Sequence, residues 1–500
     1  MARVLILLSG LSLALLILLS AGDVEATTAA TYRRLADHCV QNGQYAKAAD
    51  YYRQEAAIYR RLGDPNAAKV EEMKAERWST EIHLFVDEPP DRKELLGLYT
   101  GAKSEPVYGC YLGAFLDHDE RINQLAFGPR GSRIRELAFR EITGKSLATS
   151  YMYRTYGVDF PTYWAQTLCA RGIIPHIAWE PNGGLGQVRN DNYLQGFARE
   201  AASYGGPVFI RFAGEMNGDW TAYHGDPQLY REKFQLVHNV MEQYAPNVVM
   251  IWCVNHIPEH NVDDYYPGDK YVDWVGVNFY SVIYHDNDMS RPGFNECPTS
   301  CLKSIYAKYA SRKPIAICEY GASHMAALDG VDRPDFASEK LAKLLSALPR
   351  LYPRVKLIDI FDCNNLKHAV ASRQLNNYCV TDNERVLSAF KQAAKSDYFL
   401  TRGYANSREQ QDLPLHLKKL ANGYKLTGVA HLSAWVKTYE VRPRVVYSLD
   451  GKQIAALNEP GEYGTDLDTA RFPKGKHKLV VSVLDSHGRT AGKKEVTVYF

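Results

Sequence analysis

The sequence lacks three features that would place it in large classes of protein. No long basic run occurs, and 59 Lys and Arg residues against 57 Asp and Glu residues leave a net charge of only +2, so nucleic acid is not an expected partner. No Cys/His cluster has the spacing of zinc ligands, and we expect neither a metal nor another cofactor. No Gly-rich phosphate loop follows the first predicted barrel strand, which argues against a dinucleotide-binding sheet.

Aromatic residues are abundant instead. The 500 residues include 34 Tyr, 17 Phe and 7 Trp. Rings that carry a polar tip suit contacts with sugars, whose faces are apolar and whose rims are hydroxylated, although aromatic residues also fill ordinary cores. The length is sufficient for about three domains.

The N-terminus predicts export. Arg3 precedes an uncharged apolar stretch at residues 4–21, and residues 24–26 suit cleavage by signal peptidase, so residues 1–26 resemble a secretory signal. A stretch of about 18 apolar residues can also span a bilayer, which leaves an uncleaved membrane anchor as the alternative. Both interpretations place the rest of the chain outside the cytoplasm, as a secreted, periplasmic or cell-surface protein.

Nine cysteines accompany this prediction. Export permits disulfides. Cys297 with Cys301, and Cys363 with Cys379, are the two pairs close enough in sequence to be considered, but spacing does not decide the connectivity.

Residues 27–80 have helical periodicity. Residues 43–64 resemble a tetratricopeptide repeat, with one repeat and part of a second present. Such units need about three copies to bury a continuous core. We therefore expect a small helical hairpin that either packs on the next domain or binds a partner protein.

The middle of the chain alternates strands and helices. The predicted strands are residues 108–116, 146–156, 173–180, 207–215, 247–255, 272–280, 314–323 and 355–364. Eight such units predict an α/β fold, a (β/α)8 TIM barrel over residues 100–402.

Residues 413–500 change character. Alternating short strands are separated by turn signals such as Asp450-Gly451, and helical periodicity is nearly absent. The pattern resembles the immunoglobulin-like β-sandwich modules of exported bacterial enzymes, which we expect to act as a spacer.

Two predicted barrel strands end in a carboxylate. Strand four runs into Glu215 and strand seven into Glu319. Catalytic groups of such barrels lie at the carboxyl ends of the strands, and burying a charge there is costly unless it is paired or used. Retaining glycoside hydrolysis needs two carboxylates, one to protonate the leaving oxygen and one to attack the anomeric carbon.

The motif from Arg211 to Trp220, with Glu215-Met216-Asn217-Gly218 at its centre, is similar to the acid/base signature of glycoside hydrolase family 26. Further matches are residues 178–181 on strand three, Trp252 and Asn255 on strand five, residues 274–280 on strand six, and residues 319–321 on strand seven. The resemblance covers the middle region and neither flank.

The resemblance implies the roles of individual residues. Glu215 is the acid/base and Glu319 the nucleophile, while Tyr280 donates a hydrogen bond to Glu319 and Arg211 lies beneath the site. The candidate substrate-binding residues are Trp179, Arg211, Asn217, Trp220, Asn255, Tyr280 and Phe361.

Two positions depart from the family pattern. Gly214 stands where many members carry His, and Phe361-Asp362 stands where the family often has Trp. Both differences should alter the contacts with the sugar at the scissile glycosidic bond. The predicted substrate is β-mannan, with β-glucan, β-xylan or an exopolysaccharide as other candidates. The alternative function is a non-catalytic glycan-binding or assembly protein of an exopolysaccharide system.

Overall fold

The computed structural model describes residues 21–129, 131, 133–440, 442–458 and 461–500, in two compact units. The smaller unit contains the described residues up to His83 together with Val436–Asn458 and Gly475–Tyr499, and the larger unit is built mainly from Leu84–Trp435. Residues 1–20 of the predicted export segment lie outside the described residues. None of the helices in the described ranges combines the length and the apolar character that crossing a membrane requires.

The larger unit contains a closed barrel of eight parallel strands, which confirms the predicted fold class. Its strands are Cys110–Phe115, Thr149–Thr155, Ile174–Glu180, Val208–Phe212, Val248–Asn255, Trp274–Ser281, Ile315–Ala322 and Val355–Phe361. Each strand pairs with the next, and the eighth returns to the first through pairs such as Leu357 with Tyr111, which closes the barrel.

The strands read as continuous apolar runs because helices cover their outer face and side chains fill the inside. Every residue of Val248–Asn255 is buried. One cluster of side chains fills the barrel, including Tyr111, Phe209 and Trp274, and a larger one lies between strands and helices. The core therefore has two concentric layers, one inside the barrel and one between the strands and the helices. The carboxyl ends of the strands are where barrels of this kind carry their functional sites.

The helices of the larger unit begin at residues suited to that position. Asp191 accepts a hydrogen bond from the backbone of Leu194 at 3.0 Å, and Asp226 caps the next long helix in the same way. The α-helices are Arg92–Leu95, Glu120–Phe127, Arg135–Thr143, Thr162–Cys169, Asn192–Ser203, Pro227–Tyr244, Lys303–Tyr309, Pro334–Leu351, Asn365–His368 and Glu384–Ala393. The 3-10 helices are Leu96–Leu98, Leu185–Gln187, Val262–Tyr265, Asp269–Tyr271, His285–Asn287, Pro298–Leu302, Ala371–Arg373, Ser407–Glu409 and Thr469–Arg471.

Most residues of a four-stranded sheet also belong to the larger unit. Its order is His416–Lys419, Glu81–Glu88, Val429–Lys437 and Gly464–Asp468, with Phe85 opposite Lys419 in the first, antiparallel pair. Four further strands have two residues each. Met325–Ala326 pairs with Asn376–Asn377, Phe399–Leu400 pairs with the first barrel strand, and Tyr424–Lys425 lies in the C-terminal region.

The smaller unit combines three helices with antiparallel strands. The helices are Ala21–Gln41, Tyr45–Arg61 and Pro65–Trp78, and the strands are Arg444–Leu449, Lys452–Leu457, Lys476–Leu484 and Thr490–Tyr499. The ring of Tyr45 lies 4.7 Å from that of Trp78 and 4.2 Å from that of Tyr439, so the helices pack on the β region of this unit. A third helix follows the two helices of the predicted hairpin. Asp64 caps the N-terminus of this third helix by accepting a hydrogen bond from the backbone N–H of Ala67 at 2.9 Å. The tetratricopeptide and immunoglobulin-like assignments remain predictions.

The cysteines do not form the two bridges considered from the sequence. Cys297, Cys363 and Cys379 are free thiols. All three are buried, so each behaves as a small hydrophobic residue.

Candidate active site

Strand four ends in a strained turn that presents Glu215. Ala213 and Glu215 both have left-handed backbone angles, with φ of 49° and 60°. Non-glycine residues adopt this conformation at a cost of about 1–3 kcal/mol each, and such strain is concentrated at functional sites. The backbone N–H of Glu215 donates to the carbonyl of Cys253 at 2.9 Å, which ties the turn to strand five.

The carboxylate of Glu215 is held by three neutral donors. Its Oε1 accepts from Nδ2 of Asn278 at 2.7 Å and from Nδ2 of Asn255 at 3.1 Å, and its Oε2 accepts from Nε1 of Trp220 at 2.8 Å. No described cation pairs with this side chain. The direct hydrogen-bond partners of Glu215 are therefore uncharged.

The carboxylate of Glu319 has a different environment. Arg211 Nη2 lies 2.5 Å from its Oε1, the hydroxyl of Tyr153 donates to the same oxygen at 2.6 Å, and the hydroxyl of Tyr280 donates to Oε2. Glu319 is only 4% exposed. Burial lowers the pKa of Arg211, but the charge of Glu319 and smaller contributions from neighbouring groups together outweigh burial, so the pKa of Arg211 lies above its usual value. A cation and two hydroxyl donors stabilise an ionised Glu319.

Asn278 connects the two glutamates. Arg211 Nη1 donates to its Oδ1 at 3.2 Å, while its Nδ2 donates to Glu215. Asn278 lies on strand six, where it is paired with Asn255 of strand five on one side and with Glu319 of strand seven on the other. Glu215 and Glu319 therefore belong to one hydrogen-bonded network at the mouth of the barrel.

A third carboxylate lies at the end of strand three. Oε1 of Glu180 is 3.9 Å from Arg211 Nη2. Burial raises the pKa of Glu180 to about 7; the charge of Arg211 opposes this shift, and the charges of Glu319 and Glu215 add to it. Titratable groups with perturbed pKa values in a cleft are typical of functional sites.

The predicted sugar contacts divide into two groups. Trp220 is 42% exposed beside Glu215, Asn255 bonds to Glu215, and Phe361 stacks on Phe115 with ring centroids 5.5 Å apart, next to Tyr280. These residues, with Arg211 and Tyr280, surround the two glutamates.

Trp179 and Asn217 are placed elsewhere. Trp179 is fully buried and stacks on Phe197 at 4.0 Å, against helix Asn192–Ser203. Asn217 is also fully buried, and its amide bonds to the backbone of Asn255 and Pro258 at 2.8–2.9 Å. Asn217 therefore supports the loop that carries Asn255.

Sequence reasoning missed Tyr153, Glu180 and Asn278 as functional candidates. Tyr153 alternates with Tyr151 near the end of strand two, and Glu180 and Asn278 lie inside the two quoted motifs. The available signal was strand alternation, which places every second residue on the inner face.

One group of side chains has spacing suited to a metal among the described residues: Asp119, Asp362 and Cys379. Asp119 accepts from the backbone of Ile122 at 2.8 Å, and Asp362 accepts from that of Val380 at 2.8 Å. Burial and the neighbouring Asp119 raise the pKa of Asp362 well above its usual value. Asp119 and Asp362 each accept a backbone hydrogen bond in the loops after strands one and eight, which gives both acids a structural role.

Comparison with known proteins adds a family match. Residues 192–294, which include Glu215 and strands four to six, match the family model described as glycosyl hydrolase family 26. Among curated proteins, the chain is similar to endoglucanase H of Acetivibrio thermocellus, with 26% identity over 205 residues covering 38% of this chain and 23% of the relative. It is also similar to β-1,3-xylanase TXYA of a Vibrio species, with 29% identity over 108 residues covering 20% of this chain and 23% of the relative. The chain thus spans less than a quarter of the length of these curated relatives.

Two solved structures that are similar to this chain have low sequence identity to it. The GH26C structure from a Muricauda species gives a TM-score of 0.45 at 14% identity, covering 65% of this chain and 99% of that one. The endo-β-1,4-mannanase from Thermotoga petrophila gives a TM-score of 0.37 at 13% identity, covering 78% and 97%.

Proposed function

We propose that this chain is a member of glycosyl hydrolase family 26, whose model matches residues 192–294, and that it hydrolyses a β-linked polysaccharide with retention of configuration. Glu215 is the acid/base in this proposal and Glu319 the nucleophile. The observation that carries it is the contrast between two linked carboxylates: Glu319 contacts a cation and two hydroxyl donors, whereas Glu215 contacts neutral donors only.

The first step forms a covalent intermediate. Glu319, whose carboxylate pairs with Arg211, attacks the anomeric carbon while the bond from that carbon to the glycosidic oxygen breaks. Glu215 donates its proton to the departing oxygen. The product is a glycosyl ester of Glu319 and a shortened chain.

The second step reverses the roles. Glu215, now ionised, removes a proton from water, and the water oxygen attacks the anomeric carbon. The ester bond breaks and the charge returns to Glu319, where Arg211, Tyr153 and Tyr280 stabilise it. Two displacements on one carbon retain its configuration.

The substrate class follows from the family and from the mouth of the barrel. Trp220, exposed beside Glu215, offers a ring face to a sugar. The family resemblance supports β-mannan as the first candidate, and the similarity to a β-1,3-xylanase and to an endoglucanase supports β-1,3-xylan and β-glucan as further candidates. The apolar N-terminal segment supports the further proposal that the enzyme acts outside the cytoplasm.

The test uses the full chain with β-mannan, mixed-linkage β-glucan and β-1,3-xylan, and measures the reducing ends released. Glu215→Gln and Glu319→Gln are each expected to lower the rate by at least about 10²–10⁴-fold. Glu141→Gln, on an exposed position of helix Arg135–Thr143, is the matched control and should retain the wild-type rate. Substantial hydrolysis by both active-site variants would refute the proposal.

Azide separates the two roles. In Glu215→Ala the intermediate still forms from substrates with a good leaving group, and azide should release it as the β-glycosyl azide. In Glu319→Ala azide should take the place of the nucleophile and yield the α-glycosyl azide. The reverse assignment of products would exchange the roles of the two residues.

A further inference from the structure

Glu180 places a third carboxylate beside the proposed nucleophile. Nη2 of Arg211 lies 2.5 Å from Oε1 of Glu319 and 3.9 Å from Oε1 of Glu180. The two carboxylate oxygens are therefore no farther apart than the sum of these distances. The side chain of Glu180 is 26% exposed, whereas that of Glu319 is 5% exposed, so Glu180 is the more open of the two to the mouth of the barrel.

Glu180 has no short partner of its own. Arg211 makes its close contacts with Glu319 and Asn278, and 3.9 Å is too long for a hydrogen bond. Among the residues that the structure describes, none donates a hydrogen bond to the Glu180 carboxylate. A carboxylate that is largely removed from water and lacks a donor is costly unless a ligand supplies one.

The positive charges near Glu180 do not fully neutralise the negative charge of its carboxylate. Arg211 and, more weakly, Arg373 favour its ionised form, while Glu319 and Glu215 oppose it. Arg211 is already matched by Glu319. An ionised Glu180 therefore adds a negative charge to the place where a sugar would contact Glu319.

We propose that Glu180 is the specificity-determining residue of this site: its carboxylate accepts a hydrogen bond from a hydroxyl or an ammonium group of the sugar bound against Glu319, and it rejects a sugar that carries a carboxylate there. This inference rests on the proposed function. It assigns the substrate to neutral or amino-bearing β-glycans and excludes uronic-acid polymers, because like charges in an enclosed site repel each other.

A purely structural role for Glu180 would be to hold Arg211. Such a role would change stability and would weaken every ligand by a similar factor. A specificity role changes the ranking of ligands that differ at one functional group. The ranking is therefore the measurement that separates the two.

The experiment measures binding by calorimetry in full-length Glu215→Gln, which prevents turnover, with and without Glu180→Gln. The probes are three β-1,4-linked tetrasaccharides on the same backbone: cellotetraose, its glucosamine counterpart and its glucuronic acid counterpart. With Glu180 present, we expect the glucosamine and glucose forms to bind at least about tenfold more tightly than the glucuronic acid form at pH 8. The preference should shrink at pH 6, because Glu180, with a pKa of about 7, takes up a proton.

Glu180→Gln should bring the three affinities within about threefold of one another, and Glu180→Asp should restore part of the preference. An unchanged ranking in Glu180→Gln, or no binding of any of the three probes at millimolar concentration, would overturn this inference. Neither result affects the hydrolysis of the polysaccharide panel by the wild-type chain, so failure here is distinguishable from failure of the proposed function.

Discussion

Tyr153→Phe removes one of the three groups that stabilise the charge on Glu319. The hydroxyl of Tyr153 donates to Oε1 of Glu319 at 2.6 Å, and the ring is 41% exposed, so the variant should fold normally. In the glycosyl ester Glu319 carries no charge, and the charge returns as the ester breaks. The second step should therefore be slower without this donor.

The size of the effect follows from the bond that is lost. A hydrogen bond to a charged group contributes about 1.5–3 kcal/mol, which corresponds to a fall in kcat of about 10–150-fold if the charge is largely restored in the transition state. Because the intermediate then accumulates, KM should fall together with kcat. Mass spectrometry of the quenched enzyme should detect the glycosyl adduct during turnover.

Tyr151→Phe is the matched control. Tyr151 lies two residues earlier on the same strand, and its buried hydroxyl has no hydrogen-bond partner among the described residues. This variant should keep the wild-type kcat and KM on the polysaccharide that the chain hydrolyses. A Tyr153→Phe rate within twofold of the wild type, or an equal loss in Tyr151→Phe, would refute the reasoning.

Substitutions at three other positions should change the free energy of unfolding, and thermal or denaturant unfolding tests each of them. A methyl group on Gly113 would lie 1.8 Å from Oδ1 of the buried Asp359, so Gly113→Ala should lower the free energy of unfolding by at least about 1–3 kcal/mol; an unchanged midpoint would contradict this. A methyl group on Gly196 meets nothing within 4 Å, so Gly196→Ala should raise it by roughly 0.5–1 kcal/mol. Burial lowers the pKa of Lys356 from 10.5 to about 7, so Lys356→Met should stabilise the fold by about 1–4 kcal/mol at pH 7. The unfolded wild-type chain binds the extra proton between these two pKa values, so wild-type stability should rise with pH across this window and the advantage of Lys356→Met should shrink; a constant difference would contradict the assignment.

The sequence was sufficient to predict the barrel and the position of the two glutamates at the carboxyl end of its strands. Each barrel strand is an apolar run, and burial on both faces gives such a run little periodicity but clear ends. Glu215 and Glu319 stand out because a carboxylate at the end of an apolar run is unusual unless it is paired or used.

The sequence alone did not predict which side chains on different strands are in contact. Tyr153 and Glu319 are 166 residues apart, and only the closure of the barrel brings them together. Asn278 looks like any polar residue on a strand until its two neighbours in the ladder are known. Strand alternation places both residues on the inner face, but only the closed barrel shows which carboxylate each residue contacts.

Strand alternation explains the position of Trp179. Residues 178 and 180 share the inner face of strand three, so Trp179 must face the helices, where it stacks on Phe197. The sequence motif suggested the aromatic residue as a sugar contact, whereas the neighbouring Glu180 is the side chain that approaches Arg211.

The stereochemistry of the first product tests the central claim most directly. Proton NMR, recorded within the first minutes of hydrolysis of the β-linked polysaccharide, distinguishes the anomers before they interconvert. Attack by Glu319 followed by attack of water predicts that the β anomer appears first. Initial release of the α anomer would show a single displacement by water and would contradict the account.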